Sequence, residues 1–194
     1  MLKQECEQPN KCSIIQNNFV LDEKFKLKKY IQINSQLTTE NVNKIISDLF
    51  NGLCCSNKDN EIILDYRYFK IFMNFKSSQY SINSSSKSVS SATTSEMIEN
   101  DYNFVIQYII NAINKILLNQ NSVVVHVCLQ SLNLTDIEKY YQFICNFSQR
   151  LKTTFPDKLE KCFIYKAPFI FSQLFSIISA FVDKNTLSKI QLIK

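Results

Sequence analysis

Acid–base, nucleophilic and metal chemistry each need residue types that this chain lacks or places badly. Its one histidine, His126, falls inside the β-branched run VVVHVCL at 123–129, where a core strand residue is expected rather than a general base. Cysteines stand at 6, 12, 54, 55, 128, 145 and 162 with no CxxC pair. Cys128, Cys145 and Cys162 lie in apolar segments with no adjacent histidine or basic loop, so none has the setting that lowers a thiol pKa. The odd count and irregular spacing, with no signal peptide at the start of the sequence, imply free thiols and a reducing, cytoplasmic location. No cluster of histidine and carboxylates has metal-ligand spacing. Gly52 is the only glycine, which rules out a glycine-rich phosphate cradle. The expectation is a binding protein, not an enzyme, with no metal and no cofactor.

Charge narrows the partners. The net charge of +5 is mild. It suits transient contact with an anionic membrane surface but lacks the clustered basic stripe of a nucleic-acid binder. The densest basic run, Lys24, Lys26, Lys28 and Lys29, reads as a solvated face.

The elements follow from periodicity. Residues 1–37 are polar and broken by Pro9, and read as a loosely ordered lead-in. Val42, Ile45, Ile46, Leu49 and Leu53 share one helical face, with Thr38 or Thr39 as cap and Gly52 as a left-handed C-terminal residue. The stretch 61–75, EIILDYRYFKIFMNF, reads as a long strand or two short ones. Residues 76–95 are rich in Ser and Thr and read as a disordered loop. A helix is expected over 97–118, a strand over 123–129, and a helix from a capping box at Thr135 to Glu138 up to Pro156. Strands over 161–166 and 188–193 complete the set. Alternating helices and strands imply an α/β fold with a largely parallel sheet of about four or five strands. The domain is expected over 61–194, preceded by an extension, 1–60, that carries one helix.

Residues 155–182, FPDKLEKCFIYKAPFIFSQLFSIISAFV, carry the most distinctive chemistry, and it is physical rather than covalent. No residue in 168–182 is charged, and Phe171, Leu174, Phe175, Ile178, Phe181 and Val182 fall on one helical face. Phe169 and Ile177 spill onto other faces, so the helix should be buried or lie against lipid. At ~22 Å it is too short to span a hydrocarbon core of ~30 Å.

This region resembles the CRAL-TRIO lipid-binding domain family. The resemblance is carried by Phe155-Pro156-Asp157-Lys158, the Ala167-Pro168 corner, the hydrophobic helix 169–182, the turn Phe181-Val182-Asp183, and Lys189-Ile190 at a strand start. Where that family has Asp-Leu-Lys-Gly after its central strand, this chain has Cys128-Leu129-Gln130-Ser131. The resemblance implies a CRAL-TRIO-like α/β fold and one hydrophobic ligand, a phospholipid such as phosphatidylinositol, under a gate helix at 169–182. It further implies a headgroup site at Asp157 and Lys189, with Lys158 and Thr186 beside them, and contact of Phe169, Phe171, Phe175, Ile178 and Phe181 with ligand. Transfer between membranes or sensing of lipid would follow. The competing expectation is a divergent member that binds a protein partner and no lipid.

Overall fold

A computed structural model describes residues 39–84 and 91–193. Five strands form one sheet in the order β1-β2-β3-β4-β5. They are β1 (Cys54–Lys58), β2 (Glu61–Asp65), β3 (Val123–Cys128), β4 (Leu159–Tyr165) and β5 (Ile190–Ile193). Only the β1 and β2 hairpin is antiparallel; β2 through β5 pair in parallel. When parallel strands step in one direction across a sheet, right-handed crossovers deliver the connecting helices to the same face. One face of this sheet therefore gathers α1 (Thr39–Leu53), α2 (Tyr66–Ser84), α3 (Ser91–Leu117), α5 (Tyr141–Thr154) and α6 (Phe171–Ser179). Two short helices, α4 (Leu134–Lys139) and α7 (Lys184–Ser188), join the larger ones.

The strand at 123–129 is found as β3, and both of its faces are buried: Val123 on one side, Val124, His126 and Cys128 on the other. Register places Leu64, Val127 and Ile164 side by side on the helix-covered face. His126 lies on the opposite face at 2% exposure, its Nδ1 3.1 Å from the Tyr165 hydroxyl, as a core residue. The largely parallel sheet and the helices of the sequence reading are thus present, with five corrections of detail.

The stretch 61–75 is not a strand throughout. The strand stops at Asp65, whose Oδ1 accepts from the Arg67 backbone N–H at 3.0 Å and so caps α2. Phe69, Phe72 and Met73 then recur at helical spacing and are buried. The parts of 76–95 described here are helical rather than loop: residues 76–84 end α2 and 91–95 begin α3. Ser77 and Ser78 are accommodated by turning their hydroxyls onto the carbonyls of Met73 and Asn74. Asp101 joins the two helices, accepting from Lys76 Nζ at 3.2 Å and from the Tyr80 hydroxyl.

Gly52 is not a left-handed cap. It lies within α1 without positive φ, and a β-carbon there would collide with the Tyr68 ring. The capping box after β3 uses different residues from those expected: Asn133 Oδ1 accepts from Asp136 N at 2.9 Å and Asp136 Oδ2 from Asn133 N at 3.2 Å. The chain then breaks at Tyr140 into α4 and α5. The lead-in 1–37, the Lys24 to Lys29 run, the Thr38 cap and residues 85–90 lie outside the described residues.

Candidate functional site: an apolar cavity under a short helix

Between the helix-covered sheet face and α6 lies a cavity of about 540 Å³. Its floor is sheet, with Leu64, Val125, Val127, Ile164 and Ile190. One wall is α5, with Phe143, Phe147 and Leu151, and the back is α3, with Val105, Ile109 and Ile113. The cover is α6, with Phe171, Leu174, Phe175 and Ile178. The volume is within the ~300–1,000 Å³ range of small-molecule sites, and an apolar lining with a few polar groups is what such sites have.

Helix α6 departs from expectation in length and in burial. It spans nine residues, Phe171–Ser179, rather than 169–182. The chain re-caps at Asp183, whose carboxylate accepts from Thr186 N at 2.9 Å and Thr186 Oγ1 at 2.8 Å and starts α7. Nor is the segment covered all round. Leu174 is buried, while Phe171, Phe175 and Ile178 are half-buried because they face the cavity. Phe169, ahead of the helix, is 96% exposed. Phe181 is half-buried and does not line the cavity. The Ala167-Pro168 corner is entered through Lys166 at φ 53, a left-handed conformation that reverses the chain at the end of β4.

The polar residues of the lining divide into two ends. Near the C-terminal ends of β2 and β3, Asp65 and Asp136 are already engaged. Arg67 Nη2 donates to Asp65 Oδ2 at 2.6 Å, Arg67 Nη1 to Gln130 Oε1 at 3.1 Å, and Lys70 Nζ to Asp136 Oδ2 at 2.8 Å. Tyr66 stands beside Asp136 with its hydroxyl sealed in the wall. Burial, together with the nearby carboxylate, pushes its phenol pKa upward. Ser131 holds φ 71 at the position where the family pattern has glycine.

At the other end, where β4 starts, the lining contains Lys152, Asp157, Asp183 and Thr186. Adjacent parallel strands bring this group together: Asp157 precedes β4, Thr186 precedes β5, and Cys162 pairs with Ile190. Asp157 adopts φ 58. Of the four residues expected around a headgroup, Asp157 and Thr186 reach the cavity, and Lys158 and Lys189 do not line it. Lys189 Nζ instead donates to the Leu159 carbonyl at 2.7 Å, which ties the start of β5 to the start of β4. Ser148 and Lys152 on α5 also line the cavity and were not singled out in the sequence; a lone serine and a lone lysine on an amphipathic helix carry no signal until their face is known.

Among the described residues the cysteines show no setting that would lower a thiol pKa. Burial pushes the Cys162 thiol up to about 12, and Cys128 is also raised, mainly by burial and further by Asp65. Among the described residues no group of His, Cys, Asp and Glu could hold a metal ion. Nor is any described helix long and apolar enough to cross a membrane.

A sheet-floored apolar cavity with a short hydrophobic helix along one side defines the class of fold to which the chain is compared. The comparisons give its family: the CRAL/TRIO domain matches residues 67–194, and this chain belongs to that family. Members of it bind or transfer lipids and other hydrophobic ligands, and generally act as carriers. Among solved structures, Sfh5 shares the fold at a TM-score of 0.50 and 11% identity, over 88% of this chain and 65% of that one. The present chain therefore spans about two thirds of the length of Sfh5. No curated protein matches the sequence.

Proposed function

We propose that this chain carries one hydrophobic ligand, a phospholipid such as phosphatidylinositol, with its acyl portion in the cavity and its polar head at the Asp157 and Thr186 end. The single observation that supports this over a protein-interaction module is the cavity itself, about 540 Å³ of space that the side chains leave unfilled beneath α6. An acyl chain in water costs about 0.8 kcal/mol per methylene, so an apolar hollow of this kind substitutes for bilayer. Exchange between the two is then close to thermoneutral, and the covering helix governs its rate. Helix α6 serves as the gate, and Phe169, projecting into solvent beside it, is the residue suited to touch a membrane surface. Asp157 offers hydroxyl-accepting oxygens to an inositol ring, and Lys189 supplies a cation to a phosphate on leaving the Leu159 carbonyl.

Purified protein extracted with organic solvent, the extract read by mass spectrometry, tests the reading. Stoichiometric lipid is expected; a lipid-free extract from protein that also takes up none from vesicles overturns it. Vesicle-to-vesicle transfer with Lys189→Ala tests the headgroup role separately, since unchanged phosphatidylinositol transfer removes Lys189 from the site.

A further inference from the structure

Ser148 sits on α5 between the cavity-lining residues Phe147 and Leu151, with 6% of its surface exposed. Several hydroxyls on the described helices bond back to their own helix. Ser78 Oγ donates to Asn74 O at 2.9 Å, Thr153 Oγ1 to Gln149 O at 3.1 Å and Ser176 Oγ to Ser172 O at 2.9 Å. Ser148 makes no such bond and has no hydrogen-bond partner among the described residues. Its hydroxyl is not sealed in the wall as that of Tyr66 is, so it opens on the cavity. A buried polar group left without a partner is costly, and a ligand that supplies one recovers that cost.

Lys152 follows four residues later on the same wall, exposed at the mouth. One helical turn, about 5.4 Å, separates the two positions along α5. The pair thus offers a cation in water and, one turn inward, a neutral donor surrounded by apolar side chains. The two acids at the opposite end of the lining, Asp65 and Asp136, are already paired with Arg67 and Lys70.

We propose that Ser148 donates a hydrogen bond to an ester carbonyl of the bound lipid, whose head lies one turn outward beside Lys152, so that the site selects acyl esters over ether-linked or purely hydrocarbon ligands. This rests on the phospholipid-carrier reading above. A glycerophospholipid suits the spacing because its ester carbonyls lie just inside the phosphate, at the start of the apolar chains. An ether-linked lipid has the same shape and chain length but lacks the carbonyl oxygen.

The test is competitive uptake by the full chain from mixed vesicles containing equal amounts of diacyl and dialkyl-ether lipid, with both phosphatidylcholine and phosphatidylinositol as headgroups. Bound lipid is read by mass spectrometry. Wild-type protein should take up ester over ether by roughly three- to tenfold, the worth of one neutral hydrogen bond. Ser148→Ala should bring that ratio to about one by weakening ester uptake while ether uptake is little changed, and Ser148→Thr should restore it. Because no described protein group depends on the hydroxyl, Ser148→Ala should melt as wild type does. Equal uptake of ester and ether by wild type, or an ester preference that survives Ser148→Ala, overturns the role of Ser148. Uptake of neither lipid overturns the carrier reading on which it rests.

Discussion

The ring of Tyr68 fills the space that a β-carbon on Gly52 would need. Tyr68 is in the first turns of α2 and Gly52 near the end of α1, so the chain's one glycine is where two helices meet backbone to ring. Elsewhere a helical Gly→Ala change stabilises by about 1 kcal/mol. Here Gly52→Ala should instead destabilise by about 1–3 kcal/mol, the cost of overpacking, and Tyr68→Ala should rescue the glycine substitution when the two are combined. Urea unfolding of the three variants checks this; a stabilised Gly52→Ala would show that the ring moves aside freely.

The pair Asp65 and Arg67 predicts an asymmetry. Both are buried, and Asp65 accepts from the Arg67 side chain at 3.0 and 2.6 Å as well as from its backbone N–H. Burial raises the Asp65 pKa and outweighs the lowering by Arg67. Removing the guanidinium alone strands a carboxylate in the wall, so Arg67→Met should cost about 3–5 kcal/mol. The double change Asp65→Asn with Arg67→Met should cost clearly less, because no buried charge remains. Equal losses for the single and double variants in chemical denaturation would mean that the ion pair is not what the site depends on.

Much of this arrangement was readable in advance, for reasons particular residues make plain. The run VVVHVCL could only be a strand buried on both faces, and the 155–182 segment carried enough motif to give the family. What misled was local composition. EIILDYRYFKIFMNF is rich in β-formers, and only Asp65, a capping residue followed by Phe69, Phe72 and Met73, signalled that a helix takes over. The serines after it looked unable to order, yet they prolong α2 through bonds to its own carbonyls. Ser148 was invisible for a different reason: its significance is the absence of a partner and the presence of a cavity, and neither is a property of sequence. That Asp157 and Thr186 line one cavity depends on β4 and β5 being neighbours, and the tether of Lys189 to the Leu159 carbonyl did not follow from any motif.

Asp183 supplies a pH prediction. Hydrogen bonds from the Thr186 backbone N–H and hydroxyl hold its carboxyl below the ordinary 3.8. A group whose folded pKa is depressed contributes stability that is complete above its unfolded value and is lost as pH falls through the folded one. The Asp183 carboxyl carbon followed by NMR should therefore titrate with a midpoint under 3.8, and protection of the Thr186 amide, its exchange relative to the intrinsic rate at each pH, should fall as pH drops through that midpoint. In Asp183→Asn, which keeps an acceptor but cannot titrate, the acid-induced loss of protection at Thr186 should be reduced. A midpoint at or above 3.8 would contradict the cap.

Two neighbouring valines on β3 separate cavity from core. Val125 faces the cavity, whereas Val124 points to the opposite side of the sheet and is buried at 7% exposure. Adjacent positions on a strand share backbone and differ in what their side chains meet. A phenyl group at 125 enters open space, so Val125→Phe should leave unfolding free energy within about 1 kcal/mol of wild type, while the same group at 124 should cost about 1–3 kcal/mol by overpacking. Ligand uptake should divide the other way. Val125→Phe occupies the floor where acyl methylenes would lie and should abolish bound lipid, and Val124→Phe, where it folds, should keep it. Solvent extraction and mass spectrometry of the two variants beside wild type read the result. Undiminished lipid in Val125→Phe would place the ligand somewhere other than beneath α6.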